Sequence, residues 1–205
     1  RQYFDIYCEQ LVIFSCFKLI CIILFSLVNI NVMKVIILFT YGVSIKDWES
    51  SGLLDREVKI YNHLAEKYEI EYKFLTFGDE TDLEYQQEIP NIEIIPLYKY
   101  VNKNKIKYFE IIKSFFYPFK IRKILSFENT IIKTNQLWGS WIGIILKIIT
   151  KKPLIIRTGY DLLTFKRLEG KGVLKIFFYK TLTKLALIFS DRYLVTSEND
   201  YKSLN

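Results

Sequence analysis

From residue 33 onward the sequence predicts an α/β fold: a doubly wound, mostly parallel sheet covered by helices on both faces. Three observations predict it. Short β-branched and aliphatic runs recur along the chain. Stretches with helical apolar spacing separate them. Lys34 to Thr40 (KVIILFT) is apolar without alternation, the pattern of a strand buried on both faces. Strands that alternate with helices imply right-handed βαβ crossovers and an open parallel sheet.

The elements follow in order. After the first strand comes a loop containing Gly42 and Gly52. Leu53, Leu54, Val58, Tyr61, Leu64 and Ala65 then recur at helical spacing, which predicts an amphipathic helix over 53–67. Ile70 to Phe77 alternates and is β-rich, so it reads as a second strand. Ile92 to Leu97 reads as a short third strand, and residues 104–126 as helical with Pro118 as a break. Thr130 to Lys133 is a further strand, 136–149 a mostly apolar buried helix, and Leu154 to Arg157 a strand that Pro153 starts. Residues 172–189 read as another helix and Arg192 to Thr196 as a last strand.

Composition divides the chain at the same place. All three cysteines (Cys8, Cys16, Cys21) precede Met33, whereas every glycine, proline and tryptophan follows it. The first 32 residues carry Arg1 and Lys18 against Asp5 and Glu9, so the formal charge of +7 belongs to residues 33–205. Residues 1–32 read as an apolar leader, either upstream-translated sequence or a membrane anchor. Residues 11–30 approach the length of a membrane span, about 20 residues, but Lys18 interrupts them. Three clustered cysteines in an apolar run fit neither a disulfide framework nor metal-ligand spacing. Half of the residues are hydrophobic, which excludes a disordered chain.

Open α/β sheets bind ligands at the carboxyl ends of their strands. The loops to search therefore begin at Tyr41, Gly78, Asn135, Gly159 and Ser197. In the first, Ser50 or Ser51 is placed to cap the following helix, and a phosphate near Gly52 is chemically reasonable at that amino terminus. Arg56 and Glu57 lie one turn in, as site residues or as a plain ion pair. Lys133, Asn135 and Gln136 lie at the end of a strand, where they can hydrogen-bond a ligand; alternatively they form a polar loop in which Asn135 caps the next helix. Arg157 can hold a phosphate bidentately and Tyr160 can stack on a ring face, or Arg157 simply pairs with Asp161. His63, the only histidine, falls on a charged helix face and reads as a surface or packing residue.

Three segments together carry a resemblance. MKVIILFTYGVSIKDWESSGLLDRE from Met33, KTNQLWGSW (133–141) with KKPLIIRTGYD (151–161), and DRYLVTSENDYKSL (191–204) resemble, in that order and spacing, the amino-terminal domain of retaining GT-B glycosyltransferases of the family 4-like, group 1 type. The resemblance implies a Rossmann-like, acceptor-side domain over 33–205 whose carboxyl-terminal donor domain is missing. It implies a hexosyltransferase-like activity that moves a sugar from a nucleotide-sugar donor to a glycan or lipid-linked acceptor, and no transfer by this half alone. By the same resemblance Gly52 and Arg56 would approach the donor phosphates. Lys133, Asn135, Gln136, Arg157, Tyr160 and Asp161 would lie on the acceptor side. It implies no cofactor beyond the nucleotide-sugar co-substrate, no metal in this half, and a cytoplasmic setting at the inner face of the membrane. No catalytic residue is assigned. The chain departs from the pattern at the end of the strand Leu154 to Arg157, where many such enzymes carry a histidine and this one has none.

Residues 103–123 (KNKIKYFEIIKSFFYPFKIRK) mix cations with aromatic and aliphatic residues. Such a segment suits peripheral contact with an anionic membrane, or else its aromatics pack on the sheet and its lysines are solvated. No RNA- or DNA-binding signature is present, so nucleic acid is not expected as a partner. A Rossmann-like binding or scaffold domain without catalysis is the alternative to the glycosyltransferase reading.

Overall fold

A computed structural model describes residues 32–158 and 173–195. Six strands form one sheet: β1 (Met33–Leu38), β2 (Ile70–Thr76), β3 (Ile92–Pro96), β4 (Thr130–Thr134), β5 (Leu154–Arg157) and β6 (Arg192–Leu194). Their order is β3-β2-β1-β4-β5-β6, and every pairing is parallel. This is the Rossmann-like, doubly wound order 3-2-1-4-5-6, and the α/β class read from the sequence is the class observed.

The helices are α1 (Ile45–Ser50), α2 (Leu54–Tyr68), α3 (Lys107–Ser114), α4 (Tyr117–Ile124), α5 (Ser140–Thr150) and α6 (Val173–Phe189), with a 3₁₀ segment at Glu80–Gln87. Helix α2 buries Leu54, Val58 and Tyr61 at the spacing that predicted it. It covers the sheet face that presents Lys133, whose ammonium reaches the Tyr61 hydroxyl. Helix α5 covers the opposite face, where Gly143 lies against Leu38, Thr134 and Leu154. The core runs continuously from β1 through β5: Ile36, Ile37, Phe74, Ile132, Leu154 and Ile156 are all essentially inaccessible.

Three local readings change. Helix α1 is present where a loop was expected. Ser44 and Asp47 form a capping box across its first turn, and Ile45 and Trp48 bury themselves one turn apart. Trp48 stacks on Phe39 with ring centroids 3.9 Å apart, which fastens this short helix to the end of β1. The buried Asp82 carboxylate accepts from the Ile45 amide at 3.2 Å, placing negative charge at the helix amino terminus.

Second, Ser50 and Ser51 do not cap α2. Their hydroxyls donate back to the Asp47 and Trp48 carbonyls of α1, and Leu53 occupies the α2 N-cap without a side-chain bond. Third, the break expected at Pro118 within 104–126 falls a few residues earlier. Pro118 sits in the first turn of α4, where a proline has no amide bond to forfeit, so α3 ends and α4 restarts around Phe115 and Phe116. No helix among the described residues is long and apolar enough to cross a membrane; residues 11–30 lie outside them.

Candidate functional site

The sheet order reverses between β1 and β4, so the crevice expected to take a ligand opens beyond Leu38 and Thr134. At its base the two loops are tied together. The Asn135 amide donates to the Leu38 carbonyl at 2.8 Å and the Tyr41 amide to the Trp138 carbonyl at 3.1 Å. Gly139, at φ +100°, would place a β-carbon 2.9 Å from that of Tyr41. Tyr41, Trp138 and Trp141 fill the space above, with centroids 5.2–6.4 Å apart. Aromatic packing closes this end of the crevice.

Charge gathers beside it, on the α2 face. The register pairs Lys133 with Ile155, which puts Arg157, two residues on, on the same face as Lys133. Glu57 and Tyr61, one turn apart on α2, point back at them. Glu57 is buried within the apolar stripe of that helix. Its carboxylate accepts from Arg56 Nη2 at 2.8 Å and lies 4.0 Å from Arg157 Nη1. Lys133 Nζ donates to Tyr61 Oη at 2.7 Å. Its 5.0 Å distance to the Tyr61 ring centre is what an ammonium bound to the hydroxyl requires, so it does not ride over the ring face.

Two guanidinium groups thus flank one carboxylate, and the Lys133 ammonium, held by Tyr61, lies close enough to feel its charge. Burial pulls the Lys133 ammonium down to about 8, the Arg157 charge adds to the effect, and Glu57 opposes it. Burial, with the Glu57 charge behind it, pushes the Tyr61 phenol well above its ordinary range, so it stays protonated. Arg56 and Arg157 keep part of their guanidinium surface in solvent, with side chains 63% and 34% exposed. A cluster with more cations than anions and exposed guanidinium donors can hold an anionic or hydroxyl-rich ligand.

The expected site residues divide accordingly. Arg56 and Arg157 meet at Glu57, with Lys133 held beside them by Tyr61. Gly52, at φ +69°, terminates α1 in a Schellman motif: its amide donates to Glu49 and that of Leu53 to Trp48. The Gly52 amide is therefore already bonded and offers no free donor to a phosphate. Asn135 is buried in the β4 ladder extension and does not cap α5, whose N-cap is Gly139. Gln136 is half-buried with no hydrogen bond to a described residue. Tyr160 and Asp161 lie outside the described residues, so the Arg157–Asp161 pairing does too; the ion pair Arg157 does make is with Glu57. His63 is exposed on α2.

Two members of the cluster were not singled out together from the sequence. Tyr61 read as one more apolar helix position, and Glu57 was weighed with Arg56 alone, as site residues or as a plain ion pair, and the pair forms. The signal was present: Glu57 falls three residues after Leu54 and four before Tyr61, inside a stripe otherwise apolar. Among the described residues no group of histidine, cysteine and carboxylate side chains could hold a metal ion. Comparisons with models of protein families, with curated proteins and with solved structures find no match, so the fold assignment rests on strand order and packing alone.

Proposed function

We propose that residues 33–205 form the acceptor-side half of a glycosyltransferase that moves a sugar from a nucleotide-sugar donor to a glycan or lipid-linked acceptor. The observation that carries the proposal is the convergence of Arg56 and Arg157 on Glu57, with Lys133 held beside them by Tyr61, next to the switch point of a Rossmann-like sheet. Glu57 holds the two guanidinium groups in place and leaves their outer donors for oxygen atoms of a ligand. Lys133, charged at neutral pH, donates a further hydrogen bond in a partly dehydrated setting, where it counts for more than in water. The order of the three resembling segments supplies the choice of sugar transfer among anion-binding chemistries. Donor phosphates would then approach the first turn of α2, which no side chain caps.

Calorimetric titration of the 205-residue chain with nucleotide sugars, nucleoside diphosphates and sugar phosphates tests this. Saturable binding to the sugar phosphates, which stand in for the acceptor side, is expected, weakened roughly tenfold or more by Arg157→Ala and by Lys133→Met, since a charge-assisted hydrogen bond contributes about 1.5–3 kcal/mol. No binding across the panel, or binding indifferent to both substitutions, overturns the assignment. Release of nucleotide from any nucleotide sugar by this chain alone would overturn its reading as one half of the enzyme.

A further inference from the structure

Helices α3 and α4 carry the most exposed apolar surface among the described residues. Tyr108 is 81% exposed, Phe116 64%, Ile112 60% and Phe119 51%. They stand clear of the core because the two helices anchor through other residues. Tyr117 and Ile121 bury themselves, and Ser114 accepts from Trp141 Nε1 at 2.9 Å. The one carboxylate between residues 103 and 123, Glu110, is turned inward and spent on the Tyr117 hydroxyl and the Asn104 amide. Of the seven cations of that stretch, six are therefore exposed without an acidic neighbour in the segment, and the seventh, Lys113, is half-buried and donates to the Asn102 carbonyl. Lys120 and Lys123 pair with no carboxylate among the described residues. With Lys113, Tyr100, Phe116 and Phe119 they line a groove of about 510 Å³.

We propose that this face docks on an anionic lipid bilayer, with the aromatic rings at headgroup depth and lipid phosphates over the lysines lining the groove. Exposed aromatics interleaved with unpaired cations match such a surface in both polarity and charge. A second copy of the chain fits poorly, because it would bring like charges together. Nucleic acid gains nothing from aliphatic side chains such as Ile106 and Ile112, which are more than half exposed. The surface lies on helices separate from the Glu57 cluster, so the proposal stands or falls independently of sugar transfer.

Vesicle co-sedimentation of the full chain tests it, with phosphatidylcholine alone and with phosphatidylcholine containing phosphatidylglycerol. The apolar residues 11–30 accompany every variant, so differences among variants report on the α3 and α4 face alone. Preference for the anionic vesicles is expected, and it should fade at high salt. Lys120→Gln with Lys123→Gln should lower that binding roughly thirtyfold, and Phe116→Ser with Phe119→Ser roughly tenfold or more. All four positions are exposed, so the variants should keep the parent's circular dichroism and unfolding midpoint. Equal binding by parent and variants, equal binding to neutral and anionic vesicles, or capture of single-stranded RNA without capture of lipid would each overturn the proposal.

Discussion

Lys133 sits where an ammonium loses most of its water yet keeps one hydrogen bond, to Tyr61. In the unfolded chain a lysine holds its proton to about pH 10.4, whereas Lys133 in the fold releases it near 8. Between these values the unfolded state binds more protons, so stability rises with pH. The gain is on the order of 2–3 kcal/mol over that window. Tyr61, Tyr98 and Tyr117 act in the opposite sense, because burial raises their phenols and only the unfolded state ionises above about pH 10. Urea unfolding should therefore show greatest stability near pH 9–10, by this linkage. Lys133→Met should abolish the rise from neutral pH and leave the alkaline fall intact. Glu57→Gln removes the one charge that supports the ammonium, so the lysine should titrate lower still, as followed by NMR of its ε-methylene. A rise instead would mean that Glu57 does not act on Lys133.

At the scale of elements, two glycines in left-handed turns separate conformational cost from crowding. Gly52, at φ +69°, has open space where a β-carbon would be; Gly139, at φ +100°, has the Tyr41 backbone 3.0 Å away. Gly52→Ala should thus cost only the left-handed penalty, about 1 kcal/mol. Gly139→Ala must also push apart the loops after β1 and β4, and should cost about 2–4 kcal/mol in urea unfolding. Equal effects would show that the Tyr41 contact relaxes freely. The same scale shows what the sequence made legible. β1 is a continuous apolar run and β2 and β4 are β-rich segments with a buried, partly alternating face, so all three could be read within a residue or two. Helix α1 was hidden because six residues give too little periodicity, and only its Ser44–Asp47 capping pair and the Ile45–Trp48 spacing marked it. The site was half legible. Lys133, Arg157 and Arg56 are polar residues at strand or helix ends, which invites attention. The Glu57 and Tyr61 contribution depends on which way α2 faces, and that is decided by packing between segments more than 70 residues apart, as in the Lys133–Tyr61 bond.

Across the whole molecule, the strand order makes β1 the hinge of cooperativity. It pairs with β2 on one side and with β4 on the other, so the sheet halves 3-2-1 and 4-5-6 share one central ladder. Joining β1 to β4 closes roughly 90 residues of chain before any contact between the halves offsets that entropy. Neither half covers both edges of β1 alone, and the buried core is continuous across it. The three tryptophans report on the two sides. Trp48 packs on Phe39 and Phe74 over β1 and β2, whereas Trp138 and Trp141 pack with Tyr41 and Phe178 over the β4 side. A Trp138→Phe/Trp141→Phe variant thus sees only the first half by fluorescence, and Trp48→Phe only the second. In each variant the urea midpoint by fluorescence should coincide with that by far-ultraviolet circular dichroism, as a single cooperative transition requires. If Trp48 fluorescence changed at lower urea than the circular dichroism of the same variant, the 3-2-1 half would be opening by itself, and the shared β1 ladder would not couple the two sides of the sheet.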